Sequence, residues 1–392
     1  MSTHSGVGQS TLEDARAAGF SAATSACSQL PDSTADLLIV FATAAYDQPT
    51  LLSGIREAAP DAQLVGCSGE GVIADNDSHE VDCAVVVMAM ASDSIRAQTY
   101  LIEGYAEDPS GCAETLAARI GHEPAMGIIV FPDGLVGDCT SFLDRLNSAL
   151  PGVPVVGGTS ADDMQFSRTY QYGGDQVASG AVAAVVLRGA GRLEVAVSHG
   201  CLPIGTARRI SQAGGGWVQE IDGRHAWSVF KEYLDGDPED LNADGIVHLC
   251  VGTPIENGTA AKTMVIRTPM QLDRESGALF FPGGGLATGQ SIHMTRRDTE
   301  QIRRSAEECA RSLRQESGQA KPVMVLQFDC AGRGKIMFGG CAAGEIVEPL
   351  HAEMGSSIPW AGFHTYGEIA PIAGHPLYHN YTVALCALYD AA

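Results

Sequence analysis

The residues best suited to chemistry lie near the end of this 392-residue chain. His364, His375 and His379 surround the carboxylate of Glu368, and imidazoles and carboxylates are common metal ligands. Either His364 or His379 could instead be an axial haem ligand. Pro376 interrupts the last histidine pair, which argues against two imidazoles on one helical face. Histidines that only hydrogen-bond the backbone of a turn are the structural alternative.

A turn in the same segment has two counterparts earlier in the chain. In each copy a strand ends at a glycine, and a hydroxyl-bearing residue and then an acidic residue follow. Such a glycine lets backbone N–H groups face a ligand, and ligands of open α/β sheets bind outside the carboxyl ends of the strands. We therefore expect a shared ligand-binding surface made by Gly66, Cys67, Ser68, Gly157, Gly158, Ser160, Asp162, Phe363, His364, Tyr366, Gly367, Glu368 and Asn380.

Two structural explanations of these turns stay open. A Ser or Thr followed by an acidic residue can simply cap a helix. A gene duplication would also preserve a turn that has no ligand. Ser68 with Glu70, Ser160 with Asp162, and Thr365 with Glu368 fit any of the three interpretations.

The elements that must position these turns are also repeated. A strand, a helix and a glycine-ended strand recur, with 25 positions from Phe41 to Gly66 and 26 from Phe131 to Gly157. A third copy ends at Gly362 and holds about eight additional residues, which we place around 332–335. The predicted fold class is α/β, with repeated β-α-β-β units packed as mixed sheets with flanking helices in two domains.

The predicted domain order starts with a helical extension over residues 1–34. A first domain, 35–235, contains two repeats, 35–105 and 125–200. The second domain, 236–392, begins at the linker-like segment Asp235–Pro238. Within it, an antiparallel meander is predicted for the strands 264–267, 278–281 and 291–294.

Composition excludes several classes of function. The formal net charge of −23 argues against nucleic acid or an anionic membrane as the main partner. The sequence shows neither a secretory signal nor an apolar run of roughly 18 residues, so we expect a cytoplasmic protein without membrane insertion. The eleven cysteines include no C-x-x-C pair, which is typical of buried thiols in a reducing compartment.

Enzyme motifs are not supported by the sequence. The run Gly283–Gly289 lacks the GK[ST] of a P-loop, and no G-x-S-x-G or H-E-x-x-H motif occurs. We therefore expect a protein that is not an enzyme. The competing hypothesis is an enzyme of unknown reaction that uses the same turns, with Cys67 or Glu368 as its acting group.

These motifs together resemble the FIST family, a bacterial sensory module with an N-terminal and a C-terminal part. The residues that carry the resemblance are 65–68, 156–162, 221–223, 362–368 and His379-Asn380. The resemblance implies a signal-transduction sensor that binds a small, amino-acid-like ligand and signals to a separate protein. It also implies an alternative, a haem-based nitric-oxide sensor that regulates a histidine kinase in a two-component system. Because no C-x-x-C-H motif occurs, that cofactor would be non-covalent haem b.

Overall fold

The structure is a computed structural model, and it describes residues 2–235, 238–241, 248–255, 264–316, 318 and 320–391. Positions 236 and 237 of the predicted linker Asp235–Pro238 lie outside these residues, and the domain boundary there stays a prediction.

The strands are, in chain order, β1 (Thr3–Ser10), β2 (Leu37–Thr43), β3 (Gln63–Gly69), β4 (Val72–Ala74), β5 (Asp77–His79), β6 (Val85–Ser92), β7 (Ile95–Glu103), β8 (Gly127–Pro132), β9 (Val155–Thr159), β10 (Gln171–Gly173), β11 (Gln176–Ala178), β12 (Ala181–Gly189), β13 (Gly191–His199), β14 (Cys201–Gly214), β15 (Trp217–Ile221), β16 (Arg224–His225), β17 (Leu249–Pro254), β18 (Met264–Arg267), β19 (Gln271–Asp273), β20 (Ala278–Phe280), β21 (Ser291–Arg297), β22 (Met324–Cys330), β23 (Trp360–Thr365), β24 (Gly367–Ile372), β25 (His375–His379) and β26 (Thr382–Asp390).

The α-helices of the described residues are α1 (Ala15–Cys27), α2 (Gln48–Ala58), α3 (Pro109–Ile120), α4 (Cys139–Ala149), α5 (Ala226–Phe230), α6 (Thr299–Glu316), α7 (Lys335–Phe338), α8 (Ala342–Ile346) and α9 (Glu348–Met354). An aspartate caps each of the first four helices, because its carboxylate accepts a backbone N–H of the first turn.

Each of the three repeats contributes the centre of one six-stranded mixed sheet. Sheet 1 has the order β1-β6-β2-β3-β10-β11, and sheet 2 has the order β7-β12-β8-β9-β24-β25. Sheet 3 has the order β13-β26-β22-β23-β4-β5. In each sheet one parallel pair, such as β2 with β3, is flanked by antiparallel neighbours. The predicted α/β class with mixed sheets and flanking helices is confirmed.

The repeats exchange hairpins in a closed cycle. The hairpin β4–β5 of the first repeat completes sheet 3, and β10–β11 of the second repeat completes sheet 1. The hairpin β24–β25 of the third repeat completes sheet 2. No repeat therefore holds a complete sheet of its own.

The inner faces of the three sheets share one apolar core with approximate threefold symmetry. Phe41, Phe131 and Phe328 occupy the fifth position of the first strand in each repeat and are fully buried. Their ring centroids form a triangle with sides of 5.3, 6.0 and 6.3 Å. The outer faces of the sheets are covered by helices: α1 and α2 on sheet 1, α3 and α4 on sheet 2, and α6 and α9 on sheet 3.

Two predictions about the remaining segments are wrong in part. The strands at 264–267, 278–281 and 291–294 share an eight-stranded sheet but are not neighbours in a meander, since its order is β18-β17-β21-β14-β15-β20-β19. The local alternation was visible in the sequence, whereas the long strand β14 that pairs with β21 was not. The extension 1–34 is not only helical, because β1 pairs with β6 along its whole length.

Candidate functional site

The three glycine turns meet at one end of the shared core, as the sequence predicts for the carboxyl ends of neighbouring strands. Each turn is hydrogen-bonded to the other two through the backbone. These bonds join Ala161 N to Ser68 O (3.0 Å), His364 N to Gly71 O (3.0 Å) and Tyr366 N to Thr159 O (3.3 Å). The junction of the turns is therefore a compact backbone structure.

The glycines Gly66, Gly157 and Gly362 have a steric role. A Cβ atom at these positions would lie 1.8, 1.9 and 2.0 Å from a carbonyl oxygen of the neighbouring parallel strand. No side chain fits at such a distance, so the close approach of the strands requires glycine. This requirement explains why the glycine recurs in all three copies without a ligand.

The hydroxyl and thiol groups that follow the first two glycines are engaged within the protein. Ser68 Oγ donates to the carbonyl of Ala161 (2.7 Å), and Ser160 Oγ accepts from the amide of Gln171 (2.7 Å). Cys67 lies in the central core, and burial raises the pKa of its thiol well above the usual range. Gly158 packs against Phe363, whose ring stacks on that of Phe41 at 4.6 Å.

Asp162 organises a loop over the junction. Its carboxylate accepts hydrogen bonds from the backbone N–H groups of Phe166 (3.0 Å), Ser167 (2.6 Å) and Arg168 (2.8 Å). The hydroxyl of Tyr366 donates to the same carboxylate at 2.6 Å, so the loop is tied to the third turn. We call residues 162–168 the junction loop.

The junction loop is specific to the second repeat and is conformationally strained. The residue that pairs with the glycine of a neighbouring repeat lies seven positions beyond the turn's own glycine in the first and third repeats (Ile73 and Ile369), but fifteen positions beyond it in the second (Tyr172). Asp163, Met164 and Phe166 have φ values of 58°, 52° and 50°. Each left-handed residue that is not glycine costs about 1 kcal/mol or more, and such strain concentrates at functional sites.

Glu70 lies beneath the junction loop and is only 7% exposed. Its Oε2 accepts the N–H of Met164 at 2.8 Å, whereas its Oε1 has no hydrogen-bond partner among the described residues. Burial raises the pKa of Glu70 to about 7, and the carboxylates of Asp163, Glu80 and Asp162 add to this rise. A carboxyl group that exchanges its proton near neutral pH is a common feature of binding sites.

The rim of this site combines acidic and apolar groups. Phe166 is 47% exposed and stacks on Tyr366 with 5.2 Å between ring centroids, and Met164 is 38% exposed. Exposed apolar side chains that lie together can mark a place of contact with a partner or ligand. Beside Glu70 they form a small amphipathic surface.

His364 borders the site from the third turn but does not face open space. Its ring is fully buried, and its Nε2 lies 2.8 Å from Ser78 Oγ and 3.7 Å from Glu80 Oε1. The Glu80 carboxylate in turn accepts the backbone N–H of Lys335 at 2.7 Å. His364 therefore links the first hairpin to the third repeat.

The remaining predicted residues lie apart from Glu70, between β24, β25 and the start of β26. Glu368 is fully buried and accepts hydrogen bonds from Thr365 Oγ1, Thr382 N (3.0 Å) and Thr382 Oγ1 (2.7 Å). Asn380 donates to the carbonyl of Tyr366 at 3.2 Å. A Cβ atom at Gly367 would meet the Tyr378 ring at 2.2 Å. These residues hold strands together.

The two candidate haem ligands do not fit an axial role in this arrangement. His379 Nε2 lies 3.3 Å from the carbonyl of Ala370, and burial lowers the pKa of this histidine to about 3. His364 is enclosed by Ser78 and Glu80, and both histidines are buried, so either ring would have to be uncovered before it could bind a haem iron. Within the described residues, no group of three or more His, Cys, Asp or Glu side chains is arranged to hold a metal ion.

Sequence reasoning missed Asp163, Met164, Phe166 and Glu80. The signal for the first three was a difference in length, since the second turn is eight residues longer than the others. The sequence gives no comparable signal for Glu80, which reaches the site through the exchanged hairpin β4–β5.

Two family models match the chain one after the other. The FIST N domain matches residues 36–224, and the FIST C domain matches residues 226–371. An uncharacterized protein of Mycobacterium tuberculosis strain H37Rv is 28% identical over 98% of this chain and 99% of its own length. One from Mycobacterium bovis is 27% identical over 98% of each chain.

Solved structures resemble the chain only weakly. The crystal structure of a cyanuric acid hydrolase from A. caulinodans covers 48% of this chain and 71% of its own, with a TM-score of 0.27 and 9% identity. A similarity this weak supports no inference about the fold or function of this chain. Among the residues that the structure describes, no helix combines the length and apolar character that crossing a membrane requires.

Proposed function

We propose a ligand-sensing function for this chain, which belongs to the FIST family. FIST domains are sensory domains of signal-transduction proteins. On this proposal, the chain acts in the cytoplasm, a small ligand binds between Glu70 and the junction loop, and the loop passes the signal to a partner protein. A histidine kinase or another signalling protein is the expected partner.

The observation that carries the proposal is the strained junction loop closed over a buried carboxyl group. The loop holds Glu70 through a single backbone hydrogen bond, from Met164 N to Oε2. A ligand that replaces this bond would release the left-handed residues Asp163 and Met164. A segment with two accessible arrangements is what a sensor requires, because a ligand can shift the equilibrium between them.

The chemistry of the site favours a small cationic amine with an apolar portion, such as an amino-acid-like compound. Glu70, Asp163 and Glu80 supply negative charge, and an ammonium group would stabilise their ionised forms. The rings of Phe166 and Tyr366 can receive the apolar portion and attract the cation. Since the pKa of Glu70 is about 7, binding should tighten as the pH rises from 6 to 8.

Calorimetry and thermal shift with a panel of amino acids and amines test the proposal. We expect Glu70→Gln to weaken binding at least tenfold and to remove its pH dependence, and Asp163→Asn to weaken binding less. Asp61→Asn, an exposed carboxylate on the loop between α2 and β3, is the matched control. A ligand that binds the wild type and Glu70→Gln equally would place the sensing site elsewhere.

The two alternative functions predicted from the sequence, a haem sensor and an enzyme, each require a change in this structure. A haem sensor requires His364 or His379 to leave its present hydrogen bond, and a Soret band on adding haem, lost in His364→Ala or His379→Ala, would establish it. An enzyme requires Cys67 or Glu368 to reach a substrate, although both are fully buried. Turnover that is lost in Cys67→Ala would establish the enzymatic alternative.

A further inference from the structure

A cavity lies away from Glu70, between the parts matched by the FIST N and FIST C domains. It has a volume of about 110 Å³, and we call it the junction cavity. The loop after β8, the start of α4 and the turn after β20 enclose it. Its lining residues are Tyr105, Asp133, Gly134, Leu135, Val136, Gly137, Cys139, Thr159, Phe280, Pro282, Gly283 and Tyr378.

The size of the junction cavity limits what it can hold. An apolar cavity of about 150 Å³ accommodates benzene, so a volume of about 110 Å³ suits a molecule of roughly four to six heavy atoms. Acetate, propionate and lactate fall in this range, whereas benzoate does not.

The hydroxyl of Tyr105 is the group that points to a ligand. Tyr105 is fully buried and lines the junction cavity, and its hydroxyl makes no hydrogen bond of ordinary geometry. The thiol of Cys139, a weak hydrogen-bonding group, lies beside it. A buried hydroxyl without a strong hydrogen-bond partner destabilises the fold, and an acceptor atom of a ligand would recover this loss.

The charges around the junction cavity favour an anionic acceptor. Arg267 is 3% exposed and donates to the carbonyls of Gly284 (3.1 Å) and Tyr378, and within the described residues no carboxylate pairs with it. Helix α4 begins at Cys139 in the cavity wall, and its amino-terminal dipole adds positive potential that the capping carboxylate of Asp138 partly offsets. The nearby carboxylate of Asp138 interacts with Arg267 but forms no ion pair with it, and a bound anion would add to this partial compensation of a buried cation.

Asp133 is the acidic residue of the lining, and its oxygens are already occupied. They accept the backbone N–H groups of Leu135 (2.8 Å), Val136 (3.2 Å) and Gly180 (2.9 Å). Gln171 Nε2 is a further donor, at 3.4 Å. These donors spread the negative charge of Asp133 and reduce its repulsion of a second carboxylate.

We propose that the junction cavity is a binding site for a small carboxylate, which accepts a hydrogen bond from Tyr105 and balances the charge of Arg267. A ligand there contacts both parts of the chain, because Thr140 in α4 already donates to the carbonyl of Gly283 on the opposite wall. Binding would therefore hold the two parts together. This site is independent of the one beneath the junction loop.

The experiment measures binding of ¹³C-labelled acetate, propionate and lactate to the full chain by NMR and calorimetry, against sodium chloride at equal ionic strength. We expect saturable binding to the wild type, with the corresponding amides and benzoate binding at least tenfold more weakly. Tyr105→Phe should weaken carboxylate binding about tenfold or more. Because only the weakly bonding thiol of Cys139 lies beside the Tyr105 hydroxyl in the free protein, this variant should lose little or no resistance to urea relative to the wild type.

Tyr172→Phe is the matched control. The Tyr172 hydroxyl donates to Gln48 Oε1 at 2.5 Å, so its removal should lower urea resistance and leave carboxylate binding unchanged. Glu70→Gln should also leave carboxylate binding unchanged, which separates this site from the proposed sensing site. The proposal is overturned if no carboxylate saturates the wild type, if Tyr105→Phe binds equally well, or if amides bind as tightly as carboxylates.

Discussion

Glu368 provides a quantitative test of the buried polar structure near the turns. This carboxyl group is fully buried, and burial raises its pKa from an ordinary value of 4.5 to about 8. The folded protein therefore keeps the proton of Glu368 between these two pH values, whereas the unfolded chain releases it. Because unfolding then releases a proton, the free energy of unfolding falls as the pH rises through this window.

The size of the effect follows from the two pKa values. Each pH unit between 4.5 and about 8 lowers the free energy of unfolding by about 1.4 kcal/mol, and the cost stays constant above pH 8. The total is on the order of 5 kcal/mol. Glu368→Gln mimics the protonated acid, since its amide can donate to Thr365 Oγ1 and still accept from Thr382. The variant should lack this pH dependence.

Urea denaturation of the wild type and Glu368→Gln at pH 5.5, 7.0 and 8.5 measures the difference. We expect the variant to gain roughly 3 kcal/mol relative to the wild type between pH 5.5 and 8.5. Glu368→Ala should be less stable at every pH, because it leaves buried donors without an acceptor. A difference between wild type and Glu368→Gln that does not change with pH would refute the protonated state of Glu368.

Two further predictions concern the repeats. Gly157→Ala places a Cβ 1.9 Å from Val130 O and should lower the free energy of unfolding in urea by about 3 kcal/mol or more. Gly344→Ala is the control: this glycine has open space around it, so the free energy of unfolding should change by less than about 1 kcal/mol. An isolated fragment of residues 36–224 lacks the strands β24 to β26 that complete sheets 2 and 3, so calorimetry should show no cooperative transition; a sharp transition would contradict the interdependence of the repeats.

Local patterns in the sequence were sufficient to predict the main strands and helices of each repeat. Buried strands such as β2 are apolar on both faces, and the glycine at the end of the parallel pair is fixed by sterics at Gly66 and Gly157. The convergence of the turns followed from the geometry of parallel strands. These features depend on residues that are neighbours in the sequence or in one sheet.

The exchange of hairpins could not be predicted in the same way. Ile73 pairs with Gly362 across almost three hundred residues, and nothing in the local pattern distinguishes this pairing from a hairpin that folds onto its own repeat. The burial of Glu368 could not be predicted for a related reason. The acidic residue of the third turn begins an exchanged strand and therefore points into the protein, whereas Glu70 of the first turn lies beneath the junction loop.

The exchange of hairpins also explains how a change in one repeat can produce the proposed ligand-binding site. If all three turns had the same length, they would cover the end of the shared core symmetrically, and no loop would lie over Glu70. The eight additional residues of the second turn break this symmetry and place the strained segment of Asp163 and Met164 over Glu70. The same segment leads directly into β10, which belongs to sheet 1, and is tied to the third repeat through Tyr366. A ligand that moves the junction loop would therefore affect all three repeats, because the loop belongs to the second repeat, continues into a strand of sheet 1 and is hydrogen-bonded to the third repeat.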